Sequence, residues 1–271
     1  MDNQHIGFIG GGNMARSLIG GLLSSGIEKE FLHVTDSNQN KLEQFKTDFD
    51  INIHPDNQAL QDACDVVVFS VKPQILKDVA SALNADNKTL YISIAAGITS
   101  ESLNSWLGDS KAIVRTMPNT PAMVQSGATG LYANAQVSEA QKEIAESILR
   151  AVGITVWVDK ENQLDAVTAL SGSGPAYFFL LMETMEKAAI KLGLPEETAR
   201  LLAIQTGFGA SKLALEIEQD PAILRSQVTS PGGTTEQAIN TFIQHNFSKI
   251  VEQAMTAARD RAEELAQDLG K

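Results

Sequence analysis

The sequence predicts an α/β protein, with a doubly wound, mostly parallel sheet in the N-terminal part and an all-helical C-terminal part. Three observations predict it. Short apolar runs alternate with polar, helix-compatible stretches from the start of the chain. Strand signal ends near Lys160, and only long helical patterns follow. The 271 residues with 43% hydrophobic content suffice for two ordinary cores. Residues 1–160 are therefore assigned to the sheet domain and 161–271 to the helical one.

Strands are expected at Ile6–Ile9, Leu32–Thr35, Val66–Val71, Leu90–Ile94 and Ala112–Arg115. Val66-Val67-Val68-Phe69 is apolar without alternation, as a strand covered on both faces must be. After Arg115 the chain turns irregular through Met117-Pro118-Asn119-Thr120-Pro121, a loop at a strand's carboxyl end. Thr129–Tyr132 and Thr155–Val158 flank a helical stretch, Glu139–Val152, and extend the same sheet. Farther on, Pro175 starts a helix that Gly193 ends, Pro195-Glu196-Glu197 starts another that Asp220-Pro221 ends, and Phe247–Leu269 is amphipathic. The stripe of that last helix runs through Ile250, Val251, Ala254, Met255, Ala258, Ala262 and Leu265. A helical part of roughly a hundred residues is small for an independent core. Two completions fit its broad apolar faces: packing against another copy, or packing on its own sheet domain.

The formal net charge of -12, with no Lys/Arg run, argues against a nucleic-acid partner. One cysteine, Cys64, and four scattered histidines, His5, His33, His54 and His245, make no metal-ligand spacing, so no metal is expected and a reducing compartment is. Met1-Asp2-Asn3-Gln4-His5 has no basic targeting region, and apolar runs such as Ala176–Met182 are too short to span a membrane. The expectation is a cytoplasmic protein without a membrane partner.

The strongest local signal is Ile6-Gly7-Phe8-Ile9-Gly10-Gly11-Gly12-Asn13-Met14-Ala15, a strand entering Gly-x-Gly-x-x-Ala and then a helix. This is the dinucleotide fingerprint of a Rossmann-type domain: a tight turn at Gly10, close approach of diphosphate at Gly12, and helix against strand at Ala15. The second strand ends at Thr35-Asp36, where a carboxylate can bond the ribose hydroxyls and locally favours NADH. The same Asp36 can instead cap the next helix, leaving Ser37 and Asn38 to take a 2'-phosphate, so NADH and NADPH both stay open. Val71-Lys72-Pro73 and Ala95-Ala96-Gly97 follow buried strands, at the edge where open parallel sheets bind ligands. Downstream, Gln227 to Thr235 contains Ser230-Pro231-Gly232-Gly233-Thr234-Thr235, which opens a helix and reads either as a carboxylate cradle or as a Pro-Gly turn with a Thr cap. Ser171-Gly172-Ser173-Gly174-Pro175 reads as a helix break and restart.

Taken in order, Gly10-x-Gly12-Asn13-Met14, Val71-Lys72-Pro73, Ala95-Ala96-Gly97-Ile98, Arg115-Thr116-Met117-Pro118-Asn119-Thr120-Pro121, Leu170-Ser171-Gly172-Ser173-Gly174-Pro175-Ala176-Tyr177 and Thr229-Ser230-Pro231-Gly232-Gly233-Thr234-Thr235 resemble the pyrroline-5-carboxylate reductase family over essentially the whole chain. The resemblance implies a C-terminal helical domain that interlocks with a partner subunit, in a homodimer or larger homo-oligomer, with an active site near that interface. It places coenzyme contacts, for NADPH or NADH, on Gly10, Gly11, Gly12, Asn13, Met14, Asp36, Ser37, Asn57, Val71, Lys72, Pro73, Ala95, Ala96 and Gly97. It places substrate contacts on Glu161, Ser230, Gly232, Gly233, Thr234 and Thr235, with Thr235 bonding the ring nitrogen. Asp36 departs from the hydroxyl residue that some members use toward the NADPH phosphate. The implied reaction is hydride transfer from the dihydronicotinamide to the imine carbon of 1-pyrroline-5-carboxylate, forming L-proline in the last step of its biosynthesis.

Two rival readings differ in what they require. A related reductase of hydroxy acids or other imines needs a lysine acid near the domain junction, where only Lys160 and Lys187 occur, neither in a motif. A non-catalytic dinucleotide-binding module has no need of the second loop.

Overall fold

A computed structural model of the chain describes residues 4–270; Met1, Asp2 and Asn3 of the N-terminal stretch read above lie outside the described residues, as does Lys271. The strands are β1 (Ile6–Ile9), β2 (Leu32–Thr35), β3 (Asn52–Ile53), β4 (Val66–Phe69), β5 (Leu90–Ser93), β6 (Ala112–Met117), β7 (Gly127–Ala133) and β8 (Gly153–Trp157). They form one eight-stranded sheet in the order β3-β2-β1-β4-β5-β6-β7-β8. All neighbours pair parallel except β6 and β7, which are antiparallel. The order 3-2-1-4-5-6 over the first six strands is that of the Rossmann sheet, with its crevice where the order reverses beside β1.

Because side chains alternate along a strand, the unbroken apolar runs divide between two cores. Ile6, Phe8, Val66, Val68, Leu90 and Ile92 face one side. There they meet Leu18, Ile19 and Leu22 of α1 (Asn13–Ser24), Leu42 and Phe45 of α2 (Gln39–Phe49), and Ile148 and Leu149 of α6 (Glu139–Arg150). Ile9, Val67, Phe69 and Tyr91 face the other, against Leu60 of α3 (Asn57–Asp62), Leu76 of α4 (Pro73–Ser81) and Leu103 of α5 (Ser100–Trp106). Local chemistry sets the helix starts: Asn38, Asp56 and Thr99 cap α2, α3 and α5, and Ser138 with Gln141 forms a capping box on α6. The Met117-to-Pro121 loop reverses the chain, and Asn119 ties it down. Its side chain accepts from Ala128 N at 2.9 Å and donates to Ser171 O at 3.0 Å.

After β8 come α7 (Gln163–Val167), a π-turn over Thr168–Gly172, and then α8 (Gly174–Lys191). The expected break and restart at Ser171–Pro175 is present: the π-turn, closed by Ser173 N to Thr168 O at 2.8 Å, ends at Gly172, Ser173 is a bend, and α8 restarts at Gly174. Next follow α9 (Glu196–Ile217), α10 (Pro221–Gln227), α11 (Thr234–Gln244) and α12 (Phe247–Leu269). Contacts divide the chain into two compact units. One runs to Ser173 and takes in the residues from Ala258 on; the other is Gly174–Ala257. The strand signal stops at Lys160 as read, but α7 and the π-turn pack on the sheet: Leu164 and Val167 lie where a side chain at Gly130 of β7 would have to go. In the second unit α8 and α9 pair through Arg200 to Glu186 at 2.9 Å and through Met182 at Gly207.

Candidate active site

The segments that follow β1, β2, β3 and β4 build a cleft of about 480 Å³ lined by Gly10, Gly12, Asp36, Ser37, Asn57, Val71 and Lys72. The chain turns sharply at Gly10, whose φ of +102° would strain any residue with a side chain; a Cβ there would also lie 2.8 Å from Ser70 O. Gly12 is the N-cap of α1, with extended backbone and no capping side chain, and the first helical bond is Arg16 N to Gly12 O at 3.0 Å. The first-turn amides of Asn13, Met14 and Ala15 thus precede the hydrogen-bond ladder, the arrangement that accepts a diphosphate.

Asp36 ends β2 with its carboxylate held in place. Oδ2 accepts from Gly11 N at 2.7 Å and lies 3.4 Å from Lys41 Nζ, while Oδ1 accepts from Asn38 N at 2.8 Å. Sequence reading missed Lys41, Asp56 and Ser70 in the cleft wall. Among the described residues, Ser70 Oγ is one of two buried side-chain atoms without a hydrogen-bond partner. Such an orphan beside uncapped amides fits a polar ligand that completes the wall.

The other expected coenzyme residues are placed differently. Asn13 opens onto a shallow depression with Arg16 and Phe49. Pro73 is the first residue of α4, and Ala95, Ala96 and Gly97 form the segment between β5 and α5. Glu161, expected at the substrate, lies in the first unit. Its Oε1 accepts from Ser100 N at 2.6 Å and from Arg115 Nη1 at 3.2 Å, and its Oε2 from Ser100 Oγ at 2.6 Å. Arg115 is the one hint of this network in the sequence, a cation directly after the apolar run Ala112-Ile113-Val114 of a buried strand.

In the second unit, Ser230 to Gly233 forms the turn before α11, which Thr234 and Thr235 open. Gly232 takes a φ of +72°, Gly233 N donates to Ser230 O at 3.0 Å, and Gly233 caps α11 without a side-chain bond. The amide of Gly232 already holds a carboxylate: Glu236 Oε2 accepts from it at 2.8 Å. Thr234 and Thr235 occupy the first turn, ahead of the Gln237 N to Gly233 O bond at 3.4 Å.

Comparison with known proteins now decides the family. The chain is 52% identical to a pyrroline-5-carboxylate reductase of Pseudomonas aeruginosa, with all of both chains covered, and 45% identical to one of Haemophilus influenzae over 98% of each. The chain belongs to the pyrroline-5-carboxylate reductase family. Residues 161–265 match the family model for pyrroline-5-carboxylate reductase dimerisation, and 5–97 match that for NADP oxidoreductase, coenzyme F420-dependent. A solved pyrroline-5-carboxylate reductase of Coxiella burnetii superposes with a TM-score of 0.94 at 47% identity, covering 98% of this chain and 99% of its own. A solved Plasmodium falciparum pyrroline carboxylate reductase with NADP bound gives 0.84 at 30% identity, again over 98% and 99%.

Membership in the pyrroline-5-carboxylate reductase family gives the exposed apolar side chains of the second unit their context. Phe178, Phe179, Leu201, Phe208 and Leu215 are all more than half exposed in the single chain, on helices within the matched dimerisation region. Of the stripe read on α12, Ala262 is buried, whereas Ile250 and Val251 are exposed. Among the described residues no helix is long and apolar enough to cross a membrane.

The first unit also contains an arrangement that the sequence did not disclose. His5, His33 and His54 form a row across β1, β2 and the end of β3, with His5 Nδ1 2.8 Å from His33 Nε2 and His33 Nδ1 2.9 Å from His54 Nε2. Burial, then the neighbouring His54 and His5, push His33 down to about 4, and burial lowers His54 as well. His54 leads directly into Pro55, Asp56 and Asn57 of the cleft wall.

Proposed function

We propose that this protein reduces 1-pyrroline-5-carboxylate to L-proline with NADPH or NADH, the last step of proline biosynthesis, as a cytoplasmic homodimer or larger homo-oligomer. The observation that carries the reading is the carboxylate on Gly232 N–H: a turn that binds Glu236 in this way has the donor geometry for the carboxylate of a small acid. Glu236 then gives up that amide when substrate arrives.

In this reading residues 1–160 hold the coenzyme and 161–271 supply the dimer contact and the substrate turn. Gly10, Gly11 and Gly12 with the amides of Asn13 and Met14 receive the diphosphate. Asp36, Ser37 and Asn57 face the adenosine ribose, while Val71, Lys72 and Pro73, with Ala95, Ala96 and Gly97, form the nicotinamide side. When bound, the dihydronicotinamide supplies a hydride to C5 of the imine, which protonation of the ring nitrogen makes electrophilic. Ser230, Gly232, Gly233 and Thr234 fix the acid's carboxylate, and Thr235 donates a hydrogen bond to the ring nitrogen as it becomes an amine. A neutral threonine is a poor proton source, so Thr235 orients the ring, while solvent or the already protonated imine provides the proton.

The test is absorbance loss of NADH and of NADPH in parallel, with and without 1-pyrroline-5-carboxylate, with proline identified as product. Oxidation of either coenzyme only when the imine is present is the expected result. Coenzyme binding without imine-dependent oxidation would leave a dinucleotide-binding module and refute the proposal.

A further inference from the structure

The segment between β5 and α5 is held at both ends and covered in the middle. At its start Ser93 Oγ accepts from Ala95 N at 3.3 Å, and Ser93 O accepts from Thr116 Oγ1 at 3.0 Å. In the middle, Gly97 has a φ of +73° and lies so close to α12 that a Cβ would be 3.2 Å from Leu265 Cβ. At its end Ser100 gives both its amide and its hydroxyl to Glu161, each at 2.6 Å.

Those two bonds run from one residue to one carboxylate and are charge-assisted, the class that fixes geometry most firmly. Behind them stands Arg115, only 5% exposed, which pairs with Glu161 at 3.2 Å and approaches Asp165 at 3.5 Å. Two carboxylates share one guanidinium. Burial raises the Asp165 carboxyl, Arg115 opposes that rise, and Glu263 and Glu161 add to it. Ser100 and Arg115 thus take three acceptor positions on the two oxygens of the Glu161 carboxylate, whose side chain is 21% exposed.

We propose that Glu161 is a positioning residue: through Ser100, and backed by Arg115, it clamps the Ala95–Thr99 segment at the depth at which the nicotinamide half of the coenzyme binds. The proposal rests on the coenzyme site described above and replaces the expected contact of Glu161 with substrate. A carboxylate already holding an amide, a hydroxyl and a guanidinium leaves Ser230–Thr235 as the elements that bind the small acid.

The experiment is a double-mutant cycle on the full-length oligomer with Ser100→Ala, Glu161→Gln and the double variant. It is read by steady-state kinetics and by fluorescence titration of NADH without substrate. The expected result is that Glu161→Gln raises KM for NADH and lowers kcat by about 10-fold each, while KM for 1-pyrroline-5-carboxylate changes less than about twofold. Ser100→Ala should move the same quantities in the same direction. The double variant should be no worse than Glu161→Gln, because both act through one contact, and Glu161→Asp should partly restore NADH affinity. A rise confined to KM for the imine would make Glu161 a substrate ligand and overturn the clamp, as would additive effects of the two single variants. Should Glu161→Gln fail to fold, Ser100→Ala alone decides: an unchanged NADH affinity refutes the proposal. The NADH titration needs no turnover, so it tests the clamp even if the wild-type chain reduces no pyrroline-5-carboxylate.

Discussion

Asp36 sets the charge at the end of β2. Its carboxylate is only 10% exposed and is pinned by two backbone amides, so it cannot swing away from a 2'-phosphate placed beside it, and Lys41, 45% exposed at 3.4 Å, offsets that charge only in part. NADH should therefore exceed NADPH in kcat/KM by about 10-fold, and Asp36→Ser should move the ratio toward NADPH by a similar factor. Parallel kinetics with both coenzymes check this; an NADPH-preferring wild type would remove Asp36 as the determinant. Thr235 lies in the first turn of α11. Thr235→Ala should cut kcat by about 10-fold, the loss of one hydrogen bond made as the amine forms, with KM for the coenzyme unchanged. Unaltered turnover would take Thr235 out of the mechanism. Residue identities at both positions were legible in the sequence. The pinning of Asp36 by Gly11 and the carboxylate on Gly232 were not, because each needs a bond whose partner is set by backbone conformation.

Elements were legible where the chain is locally consistent. β1 and β2 have the bounds that their apolar runs suggest, α8 and α9 start and stop close to their Pro and Gly signals, and α12 has the bounds read from its amphipathic stripe. β3, two residues long, and α10, which Pro221 begins rather than precludes, lack the length that makes a pattern visible. The histidine row was invisible for another reason: His5, His33 and His54 are brought together only by the register of three strands. Its consequence is a pH dependence of known sign. His33 is held near 4 in the folded chain against an ordinary value of 6.5, so the unfolded chain binds the extra proton. Stability is fully present above about 6.5 and declines as pH falls from there toward about 4. Relative to pH 7.5, the wild-type Tm at pH 5 should fall by about 3 °C more than that of His33→Gln, on the order of 1 kcal/mol after allowing for screening. Thermal melts at the two pH values measure it, and equal slopes in both proteins would remove the row as the cause.

At the scale of the whole molecule, the helical unit buries little of its own apolar surface. Ala199 and Ala203 are covered, while Phe179 and Phe208 remain 63% and 59% exposed within a region matched to a dimerisation family. Phe179→Asp and Phe208→Asp should each weaken self-association by about 30-fold, the equivalent of about 2 kcal/mol at a buried aromatic contact. Light scattering across a dilution series reads the shift toward monomer. An unchanged dimer in both variants would place the interface on another face.

By itself the sequence determined the class of fold and the family, and it marked the glycine-rich turns at Gly10–Met14 and Ser230–Thr235 as the candidate ligand sites. These follow from periodicity, glycine placement and local motifs, whose information lies within a few consecutive residues. Only the tertiary structure decided that Glu161 serves Ser100 and Arg115, that three distant histidines share hydrogen bonds, and that α7 and the end of α12 belong with the sheet. Those outcomes depend on strand register and on which buried charge finds which partner. Desolvation makes an unpaired choice costly, and the pairing is settled only when residues remote in sequence are packed together.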